Sequence, residues 1–303
     1  MKKLFSIAVL LTLVVSAFAQ KQKSKPDAIK EIATLTNSKK PDELEKGYQL
    51  CKDFLQRFGT DTDDAVVKIK KFVESYRNDK FLKAVDGGKY ADGSALGKEI
   101  LAEQPENVDV KINLAYMGYN AATKGDRAYV PDTVDYAGKA IQAIDAGTMP
   151  KSFAPFKEKD ETLGWLHYMI GSLMFDKDMK TYVGDVYKAT QYESSIKHAS
   201  VPYYMIVTYY ESIYEKMTIQ LRSKSPRESD YKDFADATDK AVDRMLDAYA
   251  RLCIRAEAEK NPSAGTWKAR LTQIYTFRKK SDAGLAEFIS AAEKSPFPDP
   301  SKL

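Results

Sequence analysis

Apolar residues recur along this chain at spacings of three and four, the pattern of helices that bury one face. Residues 41–58 carry the stripe Leu44, Tyr48, Cys51 and Leu55. Pro41 stands where it opens that helix, Asp42 and Glu43 fall in its first turn, and Gly59 stops it. A helix near 28–37 precedes it, and 62–77 follows with Val66, Ile69, Val73 and Tyr76. The pattern then predicts a short helix over 91–104, with Leu96, Ile100 and Leu101, closed by Pro105. Helices over 107–123 (Ile112, Ala115, Tyr119, Ala122) and 132–146 (Val134, Ala137, Ala140, Ile141, Ile144) come next. Beyond a Pro- and Lys-containing connector, further helices are predicted over 161–175, 181–198, 201–222, 229–259, 264–279 and 281–294. No stretch alternates with period two between hairpin turns, and the best short candidate, Tyr129 to Val134, is broken by Pro131.

Helices of moderate length with short links pair antiparallel. Such pairs hide their apolar faces by stacking on the next pair, which favours an open row over a closed bundle. The organisation read from this pattern is a leader over 1–19, a flexible lead-in over 20–27 and helical repeats over 28–147. A connector over 148–159, more repeats over 160–294 and a disordered tail over 295–303 complete it. The run Ser295-Pro296-Phe297-Pro298-Asp299-Pro300 cannot continue a helix.

Residues Gly97-Lys98-Glu99-Ile100-Leu101-Ala102-Glu103-Gln104-Pro105-Glu106-Asn107 resemble the second helix and closing turn of a tetratricopeptide repeat. Lys111, Leu114 and Ala115 then fall where that family puts Trp, Leu and Gly, with Lys111 replacing the usual aromatic. After an insertion around Asp126–Asp132, Ala137, Ala140 and Ile141 fit the partner helix. A second copy resembles the repeat at Ile170, Gly171 and Tyr187, with His167 in the Trp place and Trp165 two residues early. Tyr48, Cys51, Phe54 and Leu55 resemble another second helix. The resemblance is clearest over 90–145, and beyond about 200 it is one of architecture. It implies an all-α fold, a right-handed superhelix of stacked antiparallel helix pairs, presenting a concave face to a protein or an extended peptide. Small side chains such as Ala115, Gly118, Ala137 and Ala140 let helix axes approach, and larger apolar ones fill the spaces between turns.

The start of the chain changes the picture of location. Lys2 and Lys3 precede an apolar run from Leu4 to Val15, and Ser16-Ala17-Phe18-Ala19 supplies a small-x-small cleavage pattern. The run is too short to span a bilayer, which needs about 20 residues. Cleavage after Ala19 leaves Gln20 first, no transmembrane segment, and a bacterial protein expected in the periplasm or secreted. Losing two lysines lowers the formal charge from +4 to +2, too balanced a surface to favour nucleic acid. Cys51 and Cys253 are the two cysteines. They exclude a disulfide scaffold, and either two buried thiols or a single bridge fits an oxidising compartment.

The densest aromatic stretch is Pro202-Tyr203-Tyr204-Met205-Ile206-Val207-Thr208-Tyr209-Tyr210-Glu211-Ser212-Ile213-Tyr214. One stripe is Tyr203, Ile206, Tyr210, Ile213, Met217 and Leu221, and another face holds Tyr204, Val207 and Tyr214. Such a helix is either covered on both sides or lines an aromatic groove with hydroxyls as polar handles. On the second reading Tyr203, Tyr204, Tyr210 and Tyr214 are the candidate partner-binding residues, with Tyr168, Tyr187 and Tyr192 as neighbours.

Catalytic chemistry finds little footing. His167 and His198 are the two histidines. Ser194 and Ser195 lie near His198 without a G-x-S-x-G elbow. Glu211-Ser212 and Glu193-Ser194 resemble the Glu-Ser motif of the lytic transglycosylases, exported helical superhelices with a lysozyme-like domain, but the downstream Gly-Leu-Met-Gln segment of that family is absent. A glycosidic acid there would need a cleft that raises its pKa. Phosphate-loop, dinucleotide and H-E-x-x-H motifs are absent, and Asp61, Asp63 and Asp64 read as helix-start acids, not a calcium loop. The expectation is a non-enzymatic binding scaffold of the cell envelope with no metal or cofactor. A glycan-binding or degenerate lytic-transglycosylase-like peptidoglycan protein is the alternative.

Overall fold

A computed structural model describes residues 23–302, so the expected leader lies outside the described residues. These residues form thirteen α-helices and two 3-10 turns, with no strand among them. No helix among them is long and apolar enough to cross a membrane. The chain divides into two compact units, the first ending at Arg77 and the second starting at Asn78.

The first unit holds α1 (Lys25–Thr36), α2 (Pro41–Phe58) and the beginning of α3 (Asp64–Asp86). Ser24 caps α1 by accepting from the Asp27 N–H, so helix already begins at Lys25, inside the flexible lead-in expected up to 27. Asp63 caps α3 through the N–H groups of Ala65 and Val66. The core joins Ile32, Tyr48, Cys51, Phe54, Val66, Ile69 and Val73; of these, Tyr48, Cys51, Val66, Ile69 and Val73 are stripe residues that helical spacing marked.

The second unit contains the rest of α3 and then α4 (Tyr90–Glu103), α5 (Val108–Thr123), a 3-10 turn (Arg127–Tyr129), α6 (Val130–Asp145) and α7 (Lys159–Met174). It continues with α8 (Met179–Ala189), α9 (Ser195–His198), α10 (Ser200–Ser223), α11 (Tyr231–Ala258), α12 (Ala264–Lys279) and α13 (Leu285–Lys294), and ends in a 3-10 turn (Pro300–Lys302). Packing follows chain order: α4 on α5, α5 on α6, α6 on α7, α7 on α8, α8 on α10, α10 on α11, and α11 on both α12 and α13. Alternate helices also meet where α5 touches α7. Ala115, Ala137 and Ala140 are fully buried at these seams.

Three expectations change. Helix α3 runs well past 77, because Phe81, Ala84 and Val85 continue its buried face. The helix expected over 181–198 ends at Ala189 and resumes at Ser195, where Ser194 caps the new start. The connector expected over 148–159 lies within the second unit. Asp109 accepts from the N–H groups of Lys151 (2.9 Å) and Ser152 (2.7 Å), and Asn113 Nδ2 donates to the Ala154 carbonyl, so α5 holds the connector down. Finally, the tail expected to be disordered is docked. Phe297 and Pro300 are buried, and Tyr187 of α8, Tyr203 of α10 and the Arg251 guanidinium of α11 close around the Phe297 ring.

Candidate functional site

Helix α10 sorts the four candidate tyrosines. Tyr203 and Tyr210 are seven residues apart, about two turns of helix, and so share a face. That face is buried: Tyr203 is 3% exposed and Tyr210 0%. The Tyr203 hydroxyl donates to the Lys197 carbonyl at 3.0 Å, and burial pushes the Tyr210 phenol up to about 12. Tyr203 and Tyr210 therefore belong to the core and offer no surface to a partner. Tyr204 points outward, 47% exposed, with its ring 5.4 Å from that of Trp267 on α12. Tyr214 is half-buried. The four do not form one surface, because adjacent tyrosines on a helix diverge by about 100°. Among the proposed neighbours, Tyr187 reaches Tyr203 through Phe297, Tyr168 sits in a cluster against Met205 of α10, and Tyr192 stacks on His167.

The more continuous aromatic surface lies on α5 and α7. Tyr116 and Tyr119 on α5, and Trp165 and Tyr168 on α7, repeat the same three-residue spacing, which puts each pair on one helix face. Because α5 packs directly on α7, the two pairs join. Trp165 lies 6.2 Å from Tyr119 and 5.9 Å from Tyr168, and Tyr119 lies 6.2 Å from Tyr168, all edge-on. Phe156 enters from the connector, stacked on Trp165 at 6.0 Å and edge-on to Tyr116 at 5.8 Å. Tyr116, Tyr119, Phe156 and Trp165 each keep part of their surface in solvent. Of their polar groups, the Trp165 indole nitrogen is held in place. Trp165 Nε1 donates to Glu161 Oε1 and Ser195 Oγ, both at 3.0 Å, and the Ser195 N–H donates to Glu161 Oε2 at 2.8 Å. Burial raises the phenols of Tyr119 and Tyr168. A contiguous strip of half-buried rings results. Sequence reading took Tyr119 as a stripe residue and Trp165 as out of register. The repeated spacing was a usable signal, whereas Phe156 in a loop carried none.

The titratable groups weighed for catalysis are engaged elsewhere. His167 is buried, with Nδ1 2.8 Å from Asp185 Oδ1 and its ring stacked on Tyr192 at 5.8 Å. His198 Nε2 lies 2.8 Å from Glu193. Lys197 and then His198 hold the Glu193 carboxyl down to about 2. Ser194 Oγ accepts from the Lys197 N–H as a helix cap. Glu211 Oε1 accepts from the Tyr249 hydroxyl at 2.8 Å and from Arg270 Nε at 3.1 Å. No metal-ligating cluster occurs among the described residues.

A cleft of about 630 Å³ lies between α4, α5 and α6, lined by Lys98, Lys111, Tyr136 and Lys139 among others. Lys98 and Lys139 pair with Asp132 and Asp135, each at 2.7 Å. Lys111, in the position where the repeat family has Trp, is buried with Glu106 at 3.9 Å. Comparison with protein-family models, curated proteins and solved structures finds no match to this chain.

Proposed function

We propose that this chain is an exported, non-catalytic helical-repeat scaffold of the bacterial cell envelope that binds a protein or extended peptide partner. The architecture we assign is a tetratricopeptide-like solenoid, a right-handed stack of antiparallel helix pairs. Support comes from helices that pack in chain order, from the contact between alternate helices α5 and α7, and from the small-residue seams. The observation that carries the binding reading is the strip of Tyr116, Tyr119, Phe156 and Trp165. Large aromatic rings are the residue types that dominate binding surfaces, because they supply area at little cost in side-chain entropy.

The test selects peptides from a displayed library against the full chain and then titrates them. Trp165 is the reporter in a Trp267→Phe background, which removes the other tryptophan. Selected peptides should shift Trp165 emission and lose about tenfold in affinity on Tyr119→Ala. Binding indifferent to Tyr119 and silent at Trp165 would defeat the assignment of this surface. Export is tested separately by sequencing the N-terminus of the cellular protein, which should begin at Gln20. A chain that retains Met1 would remove the export reading.

A further inference from the structure

The docked tail has the form of a bound peptide. Ser295, Phe297 and Asp299 each precede a proline, and such residues are driven to extended backbone. The prolines between them have φ fixed near the polyproline value. The segment is therefore a preformed extended strand with little conformational freedom to lose, and Ser295 leaves α13 at φ −97, ψ 154. Three of its six residues lack an N–H, so it meets other groups mainly as a hydrogen-bond acceptor.

The groove supplies the matching donors. Arg251 Nη2 donates to the Ser295 carbonyl at 2.8 Å, the Tyr187 hydroxyl to the Phe297 carbonyl at 2.9 Å, and Arg244 Nη1 to the Asp299 carbonyl at 3.0 Å. Every second carbonyl is thus held by a side chain. The spacing fits. Arg244 and Arg251 stand two turns apart on α11, roughly 10.5 Å, and four residues of polyproline helix span roughly 12 Å. The tail accordingly runs antiparallel to α11. Between the two arginines the Phe297 ring enters a pocket, 5.6 Å from Tyr187, 5.7 Å from Tyr203 and 4.7 Å from the Arg251 guanidinium. Main-chain carbonyls plus one aromatic anchor form a recognition mode that does not depend on the covalent link to α13. It is also the chemistry by which aromatic-lined grooves take proline-rich ligands.

We propose that the groove between α8, α10 and α11 is a binding site for extended peptides bearing an aromatic residue flanked by prolines. Residues 295–300 are its resident, exchangeable occupant, and a segment of that chemistry on a partner protein displaces them. This site is distinct from the α5–α7 strip and goes beyond the function proposed on it.

The probe is a labelled synthetic peptide of residues 295–303. Against the unaltered full chain it should bind weakly. Against full-length Phe297→Ala, whose own tail has lost its anchor, it should bind about tenfold more tightly, and a peptide carrying the same Phe297→Ala change should not bind. Added peptide should also speed tryptic cleavage after Lys294 in the unaltered chain, by lifting the tail. A Phe297→Ala chain that loses its cooperative melt, or that folds without binding the peptide, would make the tail a fixed part of the core and overturn the proposal. Unchanged cleavage in excess peptide would overturn it as well. Concentration-dependent dimers that vanish in Phe297→Ala would assign the groove to a second copy's tail and overturn the partner reading.

Discussion

Two glycines in helix interiors should respond to the same substitution with opposite signs. Gly171 sits where α7 crosses α8. A Cβ built there falls 2.6 Å from Val186 Cγ2 and 2.9 Å from the Val186 backbone nitrogen. The methyl group can rotate away, but the nitrogen moves only if α8 moves, and Val186 is fully buried. Gly138 in α6 has nothing within 4 Å of its added Cβ. Intrinsic helix propensity favours Ala over Gly by about 1 kcal/mol, so Gly138→Ala should stabilise by about 0.5–1 kcal/mol. At Gly171 the same gain is opposed by overpacking of about 1–3 kcal/mol. The contact with main chain places the cost towards the upper end and leaves a net loss of about 1–2 kcal/mol. For a unit of this size each kcal/mol moves the melting temperature by about 2–4 °C. Trp165 and Trp267 both belong to the second unit, so a thermal melt followed by tryptophan emission reports the right transition. Gly138→Ala should melt a few degrees higher and Gly171→Ala several degrees lower. A Gly171→Ala protein that melts at or above the parent would refute the close approach of α7 and α8.

Tyr210→Ala empties a fully buried site and should cost about 3–5 kcal/mol. Tyr204→Ala, on an exposed face, should cost less than about 1 kcal/mol, and equal losses in denaturant melts would contradict the sorting of α10. Burial pushes the thiols of Cys51 and Cys253, both free, from an ordinary 9.0 up to about 11. Neither should react with a thiol reagent at pH 8 in the folded protein, and both should react in denaturant. The unfolded chain ionises these thiols first, so below 9.0 they do not weigh on stability. As pH rises from there towards 11 they draw the equilibrium to the unfolded state. Melting temperatures that stay level across that alkaline window would count against the burial of both cysteines.

The chain's own pattern was enough to determine that it is helical and where most helices lie. Residues 41–58 and 264–279 begin and end as the periodicity, Pro41 and Gly59 predict. These signals act over a turn or two, between residues three or four apart, so they can be read without knowing what the helix will meet. The face-sharing of Tyr203 with Tyr210 was legible in the same way. What covers that face was decided by the tertiary structure. Phe297 reaches Tyr203, and the Tyr187 hydroxyl holds the Phe297 carbonyl 110 positions away. Beyond residue 77, α3 persists because Phe81 and Val85 find Ile100, Val110 and Leu114, although its own polar run Asn78-Asp79-Lys80 reads as an end. The aromatic strip likewise needs a loop residue, Phe156, delivered onto Trp165 by the two hydrogen bonds of Asp109 to the connector. Helical periodicity is a local property of the chain, whereas burial of a tyrosine or docking of a tail depends on which distant surfaces arrive beside it, and only the packed molecule brings those together.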